Sequence, residues 1–102
     1  LVLGLGGLFV ELLRTTVIRI PPISHDEAYA MISELRGHEL FEGFRGKARS
    51  DVDALAETLV QMGQMAVDLK ERLHALDLNP LMVLPEGRGV RVVDVVMEVG
   101  DT

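Results

Sequence analysis

Asp77 and Asn79 alternate with leucines in the tract Leu76-Asp77-Leu78-Asn79-Pro80-Leu81. Aspartate and asparagine are among the residues least favoured in strands, so their placement in an apolar alternation asks for a reason. In a strand, residues two apart share a face, which sets these two oxygen-bearing side chains roughly 6–7 Å apart. Hard oxygen donors on a rigid strand suit Mg²⁺, which takes one or two carboxylates and completes its shell with phosphate oxygens and water. The bland alternative is a polar pair on an edge strand facing water.

A third donor follows from the turn. Leu73 to Leu84 and Gly89 to Met97 are apolar, branched segments joined around Pro85-Glu86-Gly87-Arg88, which predicts a hairpin. With Glu86-Gly87 as the central turn residues, paired residue numbers sum to 173. Val83 then faces Val90, Leu81 faces Val92, and Asn79 faces Asp94. Directly opposed side chains lie about 5 Å apart on one face, so the turn predicts that Asn79 and Asp94 meet. An aspartate between valines is costly unless partnered, which adds weight to Asp94.

The elements that must position this hairpin can be read upstream. Leu8–Leu13 and Val17–Ile20 are strand-like runs separated by Arg14-Thr15-Thr16, and Pro21-Pro22 ends the second. Ser24-His25-Asp26-Glu27 is a capping-box pattern, and Ala28, Met31, Ile32 and Leu35 follow at helical spacing up to Gly37. Ser50 is the expected cap of a second helix, whose stripe is Val52, Leu55, Leu59, Met62, Ala66 and Leu69. His38 to Ala48 has no period and reads as an ordered loop. The order strand, strand, helix, helix, strand, strand predicts one small α+β domain over residues 1–102, two-layered, with two helices on one face of a largely antiparallel sheet.

Composition narrows the function. Sixteen acidic against ten basic residues give a net charge of −6, so no basic stripe is available for nucleic acid or an anionic membrane surface. The chain has no cysteine, which excludes a disulfide framework and thiolate chemistry and fits a cytoplasmic setting. The apolar start, Leu1–Val10, is too short to span a bilayer. A first residue other than Met reads as a piece of something longer.

Several patterns, in order along the chain, resemble the closing part of the ATP-grasp domain of NDP-forming acyl-CoA synthetases, relatives of the succinyl-CoA synthetase β subunit. They are Gly4-Leu5-Gly6-Gly7-Leu8-Phe9-Val10-Glu11, Arg19-Ile20-Pro21-Pro22-Ile23, Glu34-Leu35-Arg36-Gly37, Gly43-Phe44-Arg45-Gly46, the Leu76–Leu81 tract and Val92-Val93-Asp94. The resemblance implies a second-lobe subdomain of a ligase that makes acyl-CoA from an acid, CoA and ATP through phosphohistidine intermediates. It implies Mg²⁺ and ATP or ADP as cofactors, with CoA bound by a domain outside these residues. Asn79 and Asp94 fall on the metal-ligand positions, with Asp77 beside them. Gly6, Gly7, Glu11 and Arg45 are the candidate nucleotide-site residues, Arg45 because a guanidinium suits bidentate oxyanion contacts. A lysine-bearing first lobe, a CoA-binding domain and a phosphohistidine loop are not among these residues, so the chain alone is expected to be catalytically incomplete. The partners are then nucleotide and acyl-CoA through the parent protein. A non-catalytic α+β dimerisation or regulatory module is the alternative, and apolar surface left uncovered would let the piece self-associate.

Overall fold

The computed structural model describes residues 1–4, 16–43, 46, 48–78 and 80–100. Strand β1 (Val2–Gly4) pairs antiparallel with β2 (Thr16–Ile18), Leu3 opposite Val17. The ladder closes at its open end through Leu1, whose nitrogen donates to the Arg19 carbonyl at 2.8 Å while the Arg19 N–H donates to Leu1 O at 2.9 Å. The expected first strand, Leu8–Leu13, lies outside the described residues. Among the described residues β2 pairs with Val2–Gly4, and β2 stops at Ile18, two residues short of the expected end.

Helix α1 (His25–Glu34) starts as its sequence dictates, with Ser24 Oγ accepting the Glu27 N–H at 3.1 Å. The reciprocal half of the capping box is replaced by a tertiary contact. Glu27 Oε1 accepts from Arg19 Nε at 2.6 Å, and the other end of the same guanidinium reaches Glu34. Arg19 thus ties the end of β2 to both ends of α1. Ala28, Met31, Ile32 and Leu35 are all buried, as their spacing predicts. Gly37 follows with φ 93°, a conformation that favours glycine, and opens a 3₁₀ turn, His38–Glu42, inside the stretch read from sequence as an aperiodic loop.

Helix α2 (Val52–Asp68) buries Leu55, Ala56, Leu59 and Gly63. The expected stripe fades along the helix: Met62 and Ala66 are half-buried and Leu69 is exposed. Gly63 is where the chain of Pro22–Ile23 crosses the helix; a Cβ there would lie 2.9 Å from Ile23 Cγ1 and 3.0 Å from Ile23 N. The cap is Asp51 rather than Ser50. Asp51 Oδ1 accepts the Ala54 N–H at 3.1 Å, while Ser50 forms an isolated bridge with Pro85.

The chain then enters the hairpin: β3 (Leu73–Leu78), β4 (Leu81–Val83), β5 (Val90–Val92) and β6 (Val95–Val99). Arg88 N–H donates to Pro85 O at 2.9 Å across Glu86-Gly87, and Gly87 takes φ 85°, as the third position of a type II turn requires. The register is the expected one, with Val83 opposite Val90, Leu81 opposite Val92, and the same sum retained by Leu78 with Val95 and Asp77 with Val96. Among the described residues the architecture is therefore α+β, with three two-stranded antiparallel ladders where one sheet was expected.

The core gathers Val17, Ile23, the apolar faces of α1 and α2, and the half-buried Leu81, Val83 and Val90 of the turn end of the hairpin. Further along the ribbon no described residue is fully buried, and only Leu73, Leu76 and Leu78 of β3 are half-buried. Every residue of β6 is exposed, so Val95, Val96, Met97 and Val99 meet solvent from both faces of the strand.

Candidate functional site

The hairpin places two of the candidate ligands on one ribbon. Asp77 is exposed on β3 opposite Val96, and Asp94 lies two residues from Val96, in the short break between β5 and β6. The break is spanned by a backbone bond, Val93 N–H to Pro80 O at 3.1 Å. Asp94 is itself held locally: its Oδ1 accepts the N–H of Val95 at 2.9 Å. Among the described residues its second oxygen accepts no hydrogen bond, and it stands at the surface.

Asn79 lies outside the described residues, as do Gly6, Gly7, Glu11 and Arg45. Among the described residues, no three His, Asp or Glu side chains converge as a metal cage would require. The donor set present is one locally oriented carboxylate, Asp94, with a second, Asp77, further along the ribbon. That set fits Mg²⁺ bound largely through phosphate oxygens and water, and is too sparse for a closed all-protein site.

Neither of two surface depressions among the described residues is lined by a candidate ligand. One, of about 370 Å³, lies between α1, the 3₁₀ turn and the start of α2, lined by Tyr29, Ile32, Ser33, His38 and Phe41 among others. The other, of about 240 Å³, lies between Leu1, Met62 and β3. His25 is exposed, as expected for a first-turn residue, and its Nε2 lies 2.7 Å from Glu57 Oε2.

Three polar contacts were not legible in the sequence. Arg19 bridges Glu27 and Glu34. Tyr29 donates its hydroxyl to Asp53 at 2.5 Å, and that bond, with partial burial, holds the phenol above the usual tyrosine range. Asp51 is buried and serves two elements at once, its Oδ2 accepting the Gly89 N–H at 2.7 Å. An aspartate immediately before a helix was the available signal for Asp51, but Ser50 carried the same signal one residue earlier.

A two-layer α+β unit with this hairpin, a carboxylate at its break, is matched over residues 1–99 by the family model for the ATP-grasp domain, and the chain belongs to that family. Several of the proteins it resembles are CoA ligases or synthetases. The chain is 38% identical over 91 residues to the β subunit of an ADP-forming acetate–CoA ligase of Pyrococcus furiosus, covering 89% of this chain and 39% of the relative. It is 36% identical over 95 residues to an ADP-forming 4-hydroxybutyrate–CoA ligase of Nitrosopumilus maritimus, covering 93% of this chain and 14% of the relative. Among solved structures, an acetyl-coenzyme A synthetase of Ca. Korarchaeum cryptofilum in complex with coenzyme A and Mg-AMPPCP superposes with a TM-score of 0.86 at 36% identity, over 97% of this chain and 45% of that one. The chain thus spans under half the length of each of these proteins. The resemblance to NDP-forming acyl-CoA synthetases read from the sequence is borne out.

Proposed function

We propose that this chain is the metal- and phosphate-contacting part of the ATP-grasp domain of an acid–thiol ligase, which joins an acid to CoA with conversion of ATP to ADP and phosphate. The observation that carries the reading is the hairpin register. Pairs on both sides of the break, Leu78 with Val95 and Leu81 with Val92, keep the sum that the sequence required for Asn79 to face Asp94. The kinship with ADP-forming CoA ligases supplies the reaction class.

In this reading Asp94 and Asn79 hold the magnesium ion and Asp77 supports them from the neighbouring strand position. A magnesium ion held by these residues would supply positive charge to offset the charge that develops on phosphate during phosphoryl transfer. The contribution of this chain is orientation: the Val95 N–H fixes one Asp94 oxygen and leaves the other for a ligand. Gly6, Gly7, Glu11 and Arg45 are assigned to the nucleotide phosphates. CoA and the phosphohistidine segment belong to other parts of the parent ligase, which is assigned to the cytoplasm. The solvent-facing valines of β6 support a further expectation, that the chain alone associates with itself.

The test is Asp94→Asn and Asn79→Ala, singly and together, in the full-length protein that carries this chain. The double variant should lose acyl-CoA formation by at least about 10²-fold while keeping its circular dichroism spectrum. A double variant with parental activity would overturn the assignment.

A further inference from the structure

We propose that Asp51 is a positioning residue for the metal-facing break of the hairpin, a proposal that rests on the reading of Asp94 as a magnesium ligand. Asp51 is 8% exposed, the one buried charged side chain among the described residues. Capping α2 needs a single acceptor, which Ser, Thr or Asn would also supply. The second oxygen is what a carboxylate adds, and it is used on a residue 38 positions away, the Gly89 N–H at 2.7 Å. Asp51 also donates its own N–H to Leu84 O at 2.7 Å.

Leu84 and Gly89 bond to each other across the mouth of the turn, Leu84 N–H to Gly89 O at 2.9 Å, so Asp51 grips both strands where they leave it. Gly89 has φ 85°, and no atom lies within 4 Å of where a Cβ would stand. Its glycine answers to backbone conformation rather than to space, and that conformation accompanies an N–H aimed at Asp51. Neighbouring residues extend the grip. The Glu86 N–H donates to Arg49 O at 2.7 Å, and the Arg49 guanidinium lies 3.0 Å from Glu42 and 3.8 Å from Glu86. Residues 49–51 therefore run alongside the turn as a clasp.

Beyond the turn end, the ribbon leans on the rest of the domain only through the half-buried Leu73, Leu76 and Leu78 of β3, because β6 is exposed throughout. Packing by Leu81, Val83 and Val90 is non-directional, whereas the bonds from Asp51 fix an angle. Asp94 lies five residues past Gly89, roughly 17 Å along an extended strand, so a tilt of only about 3° at the clasp moves it by about 1 Å. A displacement of that size is enough to degrade a reactive geometry.

The experiment measures the Mg²⁺ dependence of acyl-CoA formation, and in parallel Mg²⁺ binding in the presence of ADP by titration calorimetry, in the full-length protein carrying Asp51→Ser, Asp51→Asn or Asp94→Asn. Asp51→Ser keeps an acceptor for the helix cap and removes the second oxygen; Asp51→Asn keeps the size and guards against loss of the fold. Both should raise the Mg²⁺ concentration for half-maximal rate about tenfold, the low end of what loss of an outer positioning partner does to a metal site, with the rate recovering at high Mg²⁺. A purely structural Asp51 would lower the melting temperature and leave that concentration unchanged. An unchanged value in both Asp51 variants, alongside an impaired Asp94→Asn, would overturn the positioning role alone. An unimpaired Asp94→Asn would overturn the underlying metal reading, and this proposal with it.

Discussion

Gly63 offers a direct test of how tightly the helical layer is packed. In the middle of a 17-residue helix, replacing glycine with alanine normally stabilises by about 0.5–1 kcal/mol, because glycine loses more backbone freedom on folding. Here the added Cβ would stand 2.9 Å from Ile23 Cγ1 and 3.0 Å from Ile23 N. The first neighbour is a side chain and can turn. The second is backbone, in a segment whose Ile23 side chain is only 4% exposed, so helix and segment must part by several tenths of an ångström. Overpacking of this kind costs about 1–3 kcal/mol. The cost exceeds the propensity gain, and the expected net loss for Gly63→Ala is about 1 kcal/mol. For a domain of this size that lowers the melting temperature by roughly 4–8 °C. Thermal unfolding followed by far-ultraviolet circular dichroism, with urea unfolding as a second axis, measures it. A melting temperature equal to or above that of the parent would refute the packing argument, because it would show the propensity gain realised without obstruction.

Two other outcomes follow from the same contacts. Tyr29 is the only tyrosine and there is no tryptophan, so phenol ionisation can be read by ultraviolet absorbance without interference. Its titration should lie above the ordinary range and fall back in Asp53→Asn, since the Asp53 carboxylate accepts the phenolic proton's hydrogen bond. Because the folded-state value is the raised one, this contact stabilises fully below the unfolded value of about 10 and is lost as pH rises through the folded value. A normal titration unaffected by Asp53→Asn would contradict the contact. Separately, Ser24→Ala removes the acceptor for the Glu27 N–H and should cost about 1 kcal/mol, whereas Ser24→Asp should restore most of it in urea unfolding.

What the sequence revealed and what it hid divide on physical grounds. The hairpin register was legible because proline and a glycine with positive φ fix the turn locally, and the sum of paired numbers then propagates without further information. The buried face of α1 was legible for the same reason, since helical spacing is a local property. β1 was not, because the stretch that pairs with β2 is separated from it by eleven residues whose own pattern looked more strand-like. The exchange of Ser50 for Asp51 as the cap is a tertiary effect: either residue can cap a helix, and the choice goes to the one whose second oxygen also meets Gly89. Of the candidate site, the common ribbon of Asp77 and Asp94 was readable. The local bond that orients Asp94 was not, because it arises where the ladder breaks.

The exposed strand β6 gives the molecule a gradient of local stability. The amides of α1 and of the first turns of α2 sit over the buried core and should exchange with solvent only when much of the domain opens, whereas those of β3 and β6 need only the ribbon to fray. The carboxylates proposed to meet the metal are carried by this softer end. Binding there can tighten or shift the ribbon at small cost to the core, so that occupancy would register as slowed exchange in Leu73–Leu78 and Val95–Val99 while the helices remain as they were.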